Sequence, residues 1–391
     1  MLRGFSRDSR NTVLTISIAE SLRLFGIFML LPVFTTFGFQ FTSSGFLVGL
    51  SFGAYGLSMA VFQIPFGILS DHLGRKRTLL IGMSFFVVGN IICFFTTDIT
   101  MLLVGRLISG AGAISSVGTA MVQASVPDEK RNQAMAILGI PVGLSFLLGV
   151  VIGPAISVYI GTRYIFLISA VLGLTVIIGI SRLKEIRMKL QRSGIGITGK
   201  SLILGTTGLI VSMLMMSFFY FLPLYHQDFI PSSNYILMIF YPVLVGGIIA
   251  VALSGYADRG HSQMLAIFCL IIMTVSVPLV FILSYNIMGF SDIVFTGAVF
   301  FTGYSIYEIA FPVMVSRNSS KENYGANFAT FNMFQHGGQL IGSVAAGSII
   351  GSVISTHSTL LVAVTFLVLM LFAFFIFIFF GINKSKKIET T

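Results

Sequence analysis

Charged side chains are scarce in this 391-residue chain: Asp, Glu, Lys and Arg make up only 9% of the residues. A soluble domain carries about 25% charged residues, which it needs to cover its surface in water. Hydrophobic residues reach 55%, and the mean hydropathy is +0.97. The composition therefore excludes soluble enzymes, nucleic-acid-binding proteins and disordered chains, and it indicates a protein that crosses the membrane many times.

Cysteine is also rare, and the residue patterns of most catalytic and metal sites are missing. The two cysteines, Cys93 and Cys269, lie inside apolar runs, so neither a disulfide framework nor a metal site is expected from them. The sequence contains no phosphate-binding P-loop and no His, Asp or Glu cluster with metal-ligand spacing. No filter-like loop interrupts an apolar run, which weakens a channel interpretation. We predict that the protein is not an enzyme, uses no cofactor and binds no metal.

The apolar runs predict an all-α polytopic membrane protein with twelve transmembrane helices. A helix needs about 20 apolar residues to cross a bilayer, so a chain of this length holds about twelve such helices with short loops. We number the predicted membrane-spanning segments as spans 1 to 12. Their approximate bounds are 12–36, 44–70, 78–96, 99–121, 132–155, 163–181, 201–224, 233–256, 262–285, 293–316, 325–353 and 358–382.

The net charge of +10 follows the predicted membrane topology. An even number of spans puts both termini on one side, which we place in the cytoplasm. Of the 23 Lys and Arg residues, Arg23 and Arg106 then lie in spans, Arg163 lies outside, and the rest are cytoplasmic. Basic residues are biased in this way in membrane proteins. The charge therefore predicts a multi-pass protein of the plasma membrane, embedded in the lipid bilayer and binding no nucleic acid.

The two halves of the chain repeat each other. Charged loops follow span 2 (71–77) and span 8 (258–261), and span 5 contains Gly149-x-x-x-Gly153 where span 11 contains Gly342-x-x-x-Ala346. An internal duplication of this kind is typical of secondary transporters, in which two halves surround a central site. We predict an N-terminal six-helix bundle (1–182), a cytoplasmic linker (183–200) and a C-terminal six-helix bundle (201–391).

Four charged residues lie within spans, where each costs about 2.5–3.5 kcal/mol to insert. Glu20 and Arg23 are three residues apart in span 1, so they share one helical face. Arg106 lies in span 4 and Glu308 in span 10. Two acids and two bases are compatible with structural ion pairs. The other interpretation is that a carboxylate without a local partner takes up and releases a proton, as proton coupling requires.

Polar and aromatic residues in other spans are candidates for contact with protons or substrate. Asn332, His336, Gln339 and Ser343 recur every three or four residues along span 11, so they face one side of a helix. Histidine changes protonation near neutral pH, which makes His336 a candidate for proton handling, although it could equally serve as a hydrogen-bond donor between helices.

Three further residues are candidate substrate ligands. Gln63 lies in span 2, and Phe218 and Tyr220 follow a run of methionines in span 7. Adaptable side chains of this kind suit a binding pocket of broad specificity. In a membrane protein, however, Met and Phe are also simply common, so packing is the alternative interpretation.

Three motifs resemble those of the major facilitator superfamily. The stretch 67–76, Gly-Ile-Leu-Ser-Asp-His-Leu-Gly-Arg-Lys, resembles the family's signature loop, and Arg106-x-x-x-Gly110 is similar to its span 4 motif. Gly149-x-x-x-Gly153-Pro154 is similar to the span 5 motif of twelve-span drug:proton antiporters, although Ser157 and Val158 replace the paired glycines that normally follow. A closer resemblance, to bacterial YajR-type transporters, rests on the stretches 21–32, 61–67 and 131–136.

The resemblance implies roles for individual residues. Asp71 would cap the cytoplasmic start of span 11, which Gly67 would allow to approach span 2, and Arg75 would pair with Asp128 or Glu129. Arg106 would be the membrane-embedded arginine linked to proton movement. The resemblance further implies that a monomer suffices. The implied conformational gate consists of Gly67, Asp71, Gly74, Arg75, Lys76, Asp128 and Arg131.

The leading hypothesis is a proton-driven exporter of amphipathic organic compounds that works by rocker-switch alternating access. Glu308 or Glu20 would titrate, with Arg106, Arg23 and His336 assisting. The alternative is an uptake symporter for a small polar or anionic solute, in which Arg23 and Arg106 would bind the substrate. A third hypothesis, a membrane sensor or scaffold, calls for a soluble signalling segment, which neither the 182–200 stretch nor the tail after 383 supplies.

Overall fold

A computed structural model describes residues 5–112, 114–185, 198–225, 232–256, 261–283, 290–319, 324–350 and 356–382. Within these residues the chain is helical and contains no strand. A 3₁₀ turn (Asp128–Lys130) and a π-helical turn (Phe377–Ile382) accompany the α-helices. The α-helices are α1 (Arg7–Leu30), α2 (Phe34–Gly38), α3 (Gly45–Leu73), α4 (Arg75–Phe94), α5 (Ile99–Ala111), α6 (Ser115–Ser125), α7 (Arg131–Tyr159), α8 (Arg163–Ser181), α9 (Gly199–Tyr225), α10 (Ser232–Tyr256), α11 (Ser262–Leu283), α12 (Phe290–Arg317), α13 (Tyr324–Ile350) and α14 (Thr356–Ile376).

The helices follow the predicted spans closely. Eight helical segments of the described chain are long and apolar enough to cross a membrane: α1, α3, α4, α5 with α6, α7, α8, α9 and α12. Helices α10, α11 and α14 contain shorter apolar stretches, and the more polar α13 covers the position of span 11. The predicted all-α fold, built from helices that can cross a membrane, is confirmed.

Short polar residues fix where several helices begin. The Ser6 hydroxyl accepts a hydrogen bond from the Ser9 N–H at the start of α1, and the Asp98 carboxylate accepts one from the Met101 N–H at the start of α5. Such caps satisfy backbone donors that the first turn of a helix leaves without a partner. Polar residues between the apolar runs thus set the residue at which these helices begin.

The structure divides into two compact units, residues 1–191 and residues 192–391. The predicted bounds of the two bundles and of the linker between them remain predictions, because most of the 183–200 stretch lies outside the described residues. Each unit is described below by itself.

In the first unit, the antiporter-like motif is a helix–helix contact. Helix α7 packs on α1. A Cβ atom at Gly149 would lie 2.8 Å from the Phe28 Cβ, and a Cβ at Gly153 would overlap the carbonyl group of Met29. Pro154 follows inside α7. Glycines four residues apart therefore let two helix backbones touch, as small residues do in many membrane proteins.

The second unit repeats this contact. Helix α13 packs on α9, and Cβ atoms at Gly338 and Gly342 would overlap the carbonyl groups of Leu209 and Met213. Glycines four residues apart therefore let α13 touch α9, as Gly149 and Gly153 let α7 touch α1. The correspondence of Gly342 with Gly149 within the repeat remains a prediction.

Span 4 is broken, which the sequence did not predict. Helix α5 ends at Ala111 and α6 begins at Ser115. Gly110 and Gly112 stand at the break: a Cβ at Gly110 would overlap the carbonyl oxygen of Tyr55, and a Cβ at Gly112 would lie within 3.3 Å of Gly82 and Phe86 in α4. The backbone of span 4 therefore meets α3 and α4 directly at the break.

Candidate functional site

An ion pair is buried in the first unit. In α1, Arg23 Nη2 lies 2.8 Å from Glu20 Oε2, and the two residues are 0% and 3% exposed. The spacing of three residues along one helix brings the side chains together, as the sequence predicts. The positive and the negative charge therefore enter the interior as a pair.

Two other helices complete the surroundings of Arg23. Its Nη1 donates a hydrogen bond to the Tyr55 hydroxyl at 2.8 Å and lies 4.0 Å from the Met59 sulfur, both in α3. Its Nη2 donates to the Ser115 hydroxyl at 2.6 Å, and Ser115 donates to Glu20 Oε2 at 3.2 Å. Ser115 is the first residue of α6, so the break in span 4 delivers this hydroxyl to the ion pair.

Arg106 is held differently, between aromatic rings. Its Cζ lies 5.2 Å from the centroid of the Phe34 ring and 4.9 Å from that of the Tyr55 ring, distances typical of cation–π contacts. Its Nη2 reaches the carbonyl oxygen of Phe52 at 3.5 Å. Arg106 is only 3% exposed, and no acidic side chain among the described residues forms an ion pair with it.

We call Glu20, Arg23, Tyr55, Arg106 and Ser115 the charge cluster. Its described members carry one negative and two positive charges. The cluster also has unused hydrogen-bonding capacity: Glu20 Oε1, Arg23 Nε and Arg106 Nε are buried without a hydrogen-bond partner among the described residues. Buried polar atoms normally have a hydrogen-bond partner, so these three atoms of the charge cluster depart from the usual pattern.

In the second unit, Glu308 has a very different environment. It lies in α12, is exposed, and accepts a hydrogen bond from the hydroxyl of Tyr304, one turn earlier in the same helix. Across the part of the chain that the structure describes, no basic side chain forms an ion pair with it. Among the described residues, Glu20 therefore has a counter-ion, whereas Glu308 lacks one.

A second polar group, which is uncharged, lies beside Glu308. Gln335 Nε2 of α13 donates to the Tyr307 hydroxyl at 2.8 Å, and the Ser212 side chain of α9 also hydrogen-bonds to this hydroxyl. A Cβ at Gly208 would lie 2.8 Å from the same oxygen, so glycine leaves room for the phenol. We call Ser212, Tyr307 and Gln335 the tyrosine cluster.

The other predicted ligands occupy mixed surroundings. His336 Nδ1 lies 3.1 Å from Gln339 Oε1 in α13, and Asn332 is half-buried one turn before His336. Gln63 is buried in α3, and its Oε1 has no hydrogen-bond partner among the described residues. Their roles in binding or proton handling remain predictions.

The aromatic candidates in α9 are packed inside the second unit. Phe218 is stacked on Phe300 of α12 at a centroid distance of 4.5 Å, and Tyr220 is fully buried. Helix packing accounts for both side chains within this unit. A substrate role for them remains a prediction that would require the packing to open.

The predicted gate contains a helix cap that the sequence did not indicate. The backbone N–H of Lys76, near the start of α4, donates to Glu185 Oε1 at 3.0 Å. Gly74 has a φ of +94°, and a Cβ there would lie 2.6 Å from the Glu185 carboxyl carbon. Glycine thus permits both the backbone turn and the approach of the carboxylate. Arg75 Nη1 donates to the carbonyl oxygen of Ala120 at 2.6 Å.

Several gate contacts implied by the resemblance remain predictions. The side chains of Asp128 and Arg131 lie outside the described set, so the pairing of Arg75 with Asp128 stays open. The contact of Asp71 with span 11 would join the two units. Among the described residues, nothing would lie within 4 Å of a Cβ at Gly67, so packing within the first unit does not explain this glycine.

Sequence reasoning identified the charged residues but missed their neutral partners. Tyr55 and Ser115 contact Arg23, and Tyr307 and Gln335 contact each other beside Glu308. Hydroxyl groups and tyrosines are common in apolar spans, however, and these residues have no distinctive spacing. Gln335 directly precedes His336, so it does not lie on the helix face that Asn332, His336, Gln339 and Ser343 were predicted to share. The described residues contain no group of three His, Cys, Asp or Glu side chains that could hold a metal ion.

Both units hold polar clusters within apolar, membrane-spanning helices, an arrangement that is compatible with a secondary transporter. The Major Facilitator Superfamily profile matches residues 16–343, and the chain belongs to this family. It is therefore a multi-pass membrane transporter of small molecules and not an enzyme.

Similar proteins agree with this assignment. The chain is 29% identical to the inner membrane transport protein YajR of Escherichia coli K12 over 347 residues, which cover 85% of this chain and 75% of YajR. It is 43% identical to the uncharacterized transporter BU466 of Buchnera aphidicola over 158 residues, a match that spans only 40% of either chain.

Solved structures show the same fold. The human organic anion transporter MFSD10 matches with a TM-score of 0.72 at 16% identity, covering 95% of this chain and all of that one. An auto-inhibited peptide transporter of the POT family matches with a TM-score of 0.74 at 11% identity, covering 95% of this chain and 96% of that one. At these identities the likeness extends to the fold alone.

Proposed function

We propose that this transporter exchanges protons for amphipathic organic compounds and exports them across the plasma membrane. The observation that carries the proposal is the contrast between its two membrane-embedded carboxylates. Glu20 has Arg23 as a counter-ion at 2.8 Å, whereas Glu308 is exposed and has only the Tyr304 hydroxyl as a described partner. A carboxylate without a counter-ion can change charge without breaking an ion pair.

Glu308 is the proton carrier in this proposal. In one conformation it takes up a proton from outside the cell, and in the other it releases the proton to the cytoplasm. The substrate moves outward on the return step, as in rocker-switch alternating access. Both termini face the cytoplasm, and a monomer is the transporting unit. The similarity of Gly149, Gly153 and Pro154 to the antiporter motif supports the exchange direction.

The charge cluster has a supporting role. Breaking a buried ion pair by removing one partner costs about 3–5 kcal/mol, so a transport cycle that neutralised Glu20 beside Arg23 would pass through a costly state. We therefore assign the titrating step to Glu308 and the stabilisation of the first unit to Glu20 and Arg23. Gln339, which contacts the proton-handling candidate His336 in α13, is a candidate substrate ligand.

The test uses the purified protein in liposomes that contain a pH-sensitive dye and carry an imposed proton gradient. Tetraphenylphosphonium, a lipophilic cation, is the first probe. We expect tetraphenylphosphonium to trigger proton flux in the unmodified protein. The Glu308→Gln variant should show no such flux, and the Glu308→Asp variant should show part of it. Gradient-free exchange of labelled tetraphenylphosphonium should persist in Glu308→Gln, because exchange needs no net proton step.

The result that would overturn the assignment of Glu308 is a Glu308→Gln variant with normal proton flux. If Glu20→Gln lost proton flux and kept exchange while Glu308→Gln behaved normally, the titrating role would pass to Glu20. Sugars, amino acids and organic acids are tested in the same liposomes after the lipophilic cation.

A second candidate is a symporter that takes up a small anionic solute. The observation that favours it is the charge of the charge cluster, whose described members are two guanidinium groups, Arg23 and Arg106, and one carboxylate, Glu20. An anion would balance the second guanidinium. Proton flux triggered only by an organic acid, and lost in Arg106→Gln, would put this candidate first.

A further inference from the structure

Tyr55 touches both buried guanidinium groups of the first unit. Its hydroxyl accepts a hydrogen bond from Arg23 Nη1 at 2.8 Å, and its ring centroid lies 4.9 Å from Arg106 Cζ. The side chain is 5% exposed. A single phenol thus joins the Glu20–Arg23 ion pair on α1 to the arginine of α5, using its oxygen for one contact and its ring for the other.

The backbone of Tyr55 is also fixed against α5. A Cβ atom at Gly110 would overlap the Tyr55 carbonyl oxygen and lie 2.9 Å from its Cα. Gly110 is one turn after Arg106 in the same helix. With its main chain held in this way, the phenol can move only by rotation of its side chain, and that rotation changes the contacts with both guanidinium groups together.

We propose that Tyr55 is a positioning residue that couples Arg106 energetically to the Glu20–Arg23 pair. This inference rests on the proposed function, because the coupling would transmit a change at one membrane-embedded charge to the other during transport. The two contacts use different parts of the ring system: the hydroxyl oxygen is a hydrogen-bond acceptor, and the ring offers its negative electrostatic potential to a cation. Losing the hydroxyl therefore breaks the link and leaves the ring on Arg106.

The charged and titratable groups around Tyr55 come from three helices. Glu20 and Arg23 belong to α1 and Arg106 to α5, while Cys93 of α4 lies near Arg106. Phe34 also contacts Arg106, at 5.2 Å from its ring centroid to Cζ, but as a hydrocarbon ring it cannot hydrogen-bond to Arg23. Phe34 therefore provides a matched control, since it touches Arg106 without linking it to the ion pair.

The experiment is a mutant cycle in three backgrounds. Arg23→Lys, Arg106→Lys and the double variant are made in the unmodified protein, in Tyr55→Phe and in Phe34→Leu. Proton flux driven by tetraphenylphosphonium is measured as a function of pH. In the unmodified protein, the double variant should differ from the product of the two single effects by about threefold or more, because coupled sites are not additive.

In the Tyr55→Phe background we expect the two arginine substitutions to act independently, while the coupling persists in Phe34→Leu. Coupling that survives in Tyr55→Phe would overturn the inference, and so would independent effects in the unmodified protein. A role in packing alone would alter the rate without changing how the two effects combine.

A second readout separates this inference from the proposed function. If the unmodified protein shows no proton flux with any probe, the proposed function fails. The same cycle measured by thermal unfolding then decides the role of Tyr55: coupling that disappears in Tyr55→Phe supports it, and coupling that stays refutes it. All substitutions used are conservative in size, so folded variants are expected.

Discussion

The two units repeat one helical architecture but bury different chemistry. The first unit contains the charge cluster, in which Arg23 is fully enclosed and every charged member touches side chains from at least one other helix. The second unit contains the neutral tyrosine cluster and, beside it, the exposed carboxylate of Glu308. Both units thus share helix contacts of the same kind, whereas their polar residues differ: among the described residues, the first unit pairs Glu20 with Arg23, and the second exposes Glu308 without an ion-pair partner.

Each unit contains its own reporter for testing this comparison. Cys93 in α4 and Cys269 in α11 are free and fully buried, and the chain has no other cysteine and no tryptophan. A thiol-reactive dye reports exposure of Cys93 in a Cys269→Ala protein, and exposure of Cys269 in a Cys93→Ala protein. The unfolding temperatures of the two units can thus be followed separately.

The largest expected effect is the loss of one partner of the buried ion pair. Arg23→Met leaves Glu20 charged in an apolar interior, so we expect the first unit to lose about 3–5 kcal/mol of stability. The double variant Glu20→Gln/Arg23→Met should recover most of it, because neither charge then remains. Dye labelling of Cys93 during heating measures the loss of stability in Arg23→Met and its recovery in the double variant.

Dye labelling of Cys269, which reports the unfolding of the second unit, provides the control for this experiment, because the substitutions lie in the first unit. A double variant as unstable as Arg23→Met would contradict the interpretation that charge imbalance, and not lost packing, causes the effect.

The next effect should be equal in the two units, because it concerns the contact that they share. Gly153→Ala and Gly338→Ala each place a methyl group against a carbonyl group of the partner helix, and overpacking of this kind costs about 1–3 kcal/mol. Gly143→Ala in α7 and Gly337→Ala in α13 are matched controls, since nothing described lies within 4 Å of a Cβ there. We expect the controls to unfold at the original temperature or above it, as alanine favours helix over glycine.

A smaller effect is expected in the tyrosine cluster. Tyr307→Phe removes the hydroxyl that Gln335 and Ser212 contact. Leaving a polar group without its partner costs about 1–3 kcal/mol when that group is buried, and the Gln335 side chain is half-buried. We expect a value at the lower end of this range, because no charge is left unpaired. Cys269 labelling measures the loss, and Tyr307→Phe/Gln335→Leu should restore part of it. A loss as large as that in Arg23→Met would remove the distinction between the two units.

The smallest effect should occur at the edge of the first unit. Glu185→Gln keeps the shape of the cap on α4 but removes its negative charge, and a charge at a helix N-terminus contributes about 0.3–1 kcal/mol. Gly74→Ala should cost more, because it also forces a side chain into a positive φ and against the Glu185 carboxyl group. Cys93 labelling during heating compares the two variants. A larger loss of stability in Glu185→Gln than in Gly74→Ala would argue against the cap.

The sequence predicted most of the fold, because membrane spans depend on composition and length. It also predicted the Glu20–Arg23 contact, since residues three apart on one helix must be neighbours. It did not predict the break in span 4 or the contacts of Tyr55 and Ser115, which depend on how three helices meet. Glu185 was likewise missed, because a residue at the start of a polar stretch gives no indication of which distant helix it caps.

The positions of the buried arginines bear on how the chain enters the membrane during synthesis. Arg23 has its counter-ion on the same helix, so α1 can be inserted with its charges already neutralised. Helix α5 contains no acidic residue to neutralise Arg106. Its two aromatic contacts, Phe34 and Tyr55, come from segments that the ribosome makes earlier. The partners of this arginine are therefore synthesised before the arginine itself, and insertion in chain order suits the assembly of the first unit.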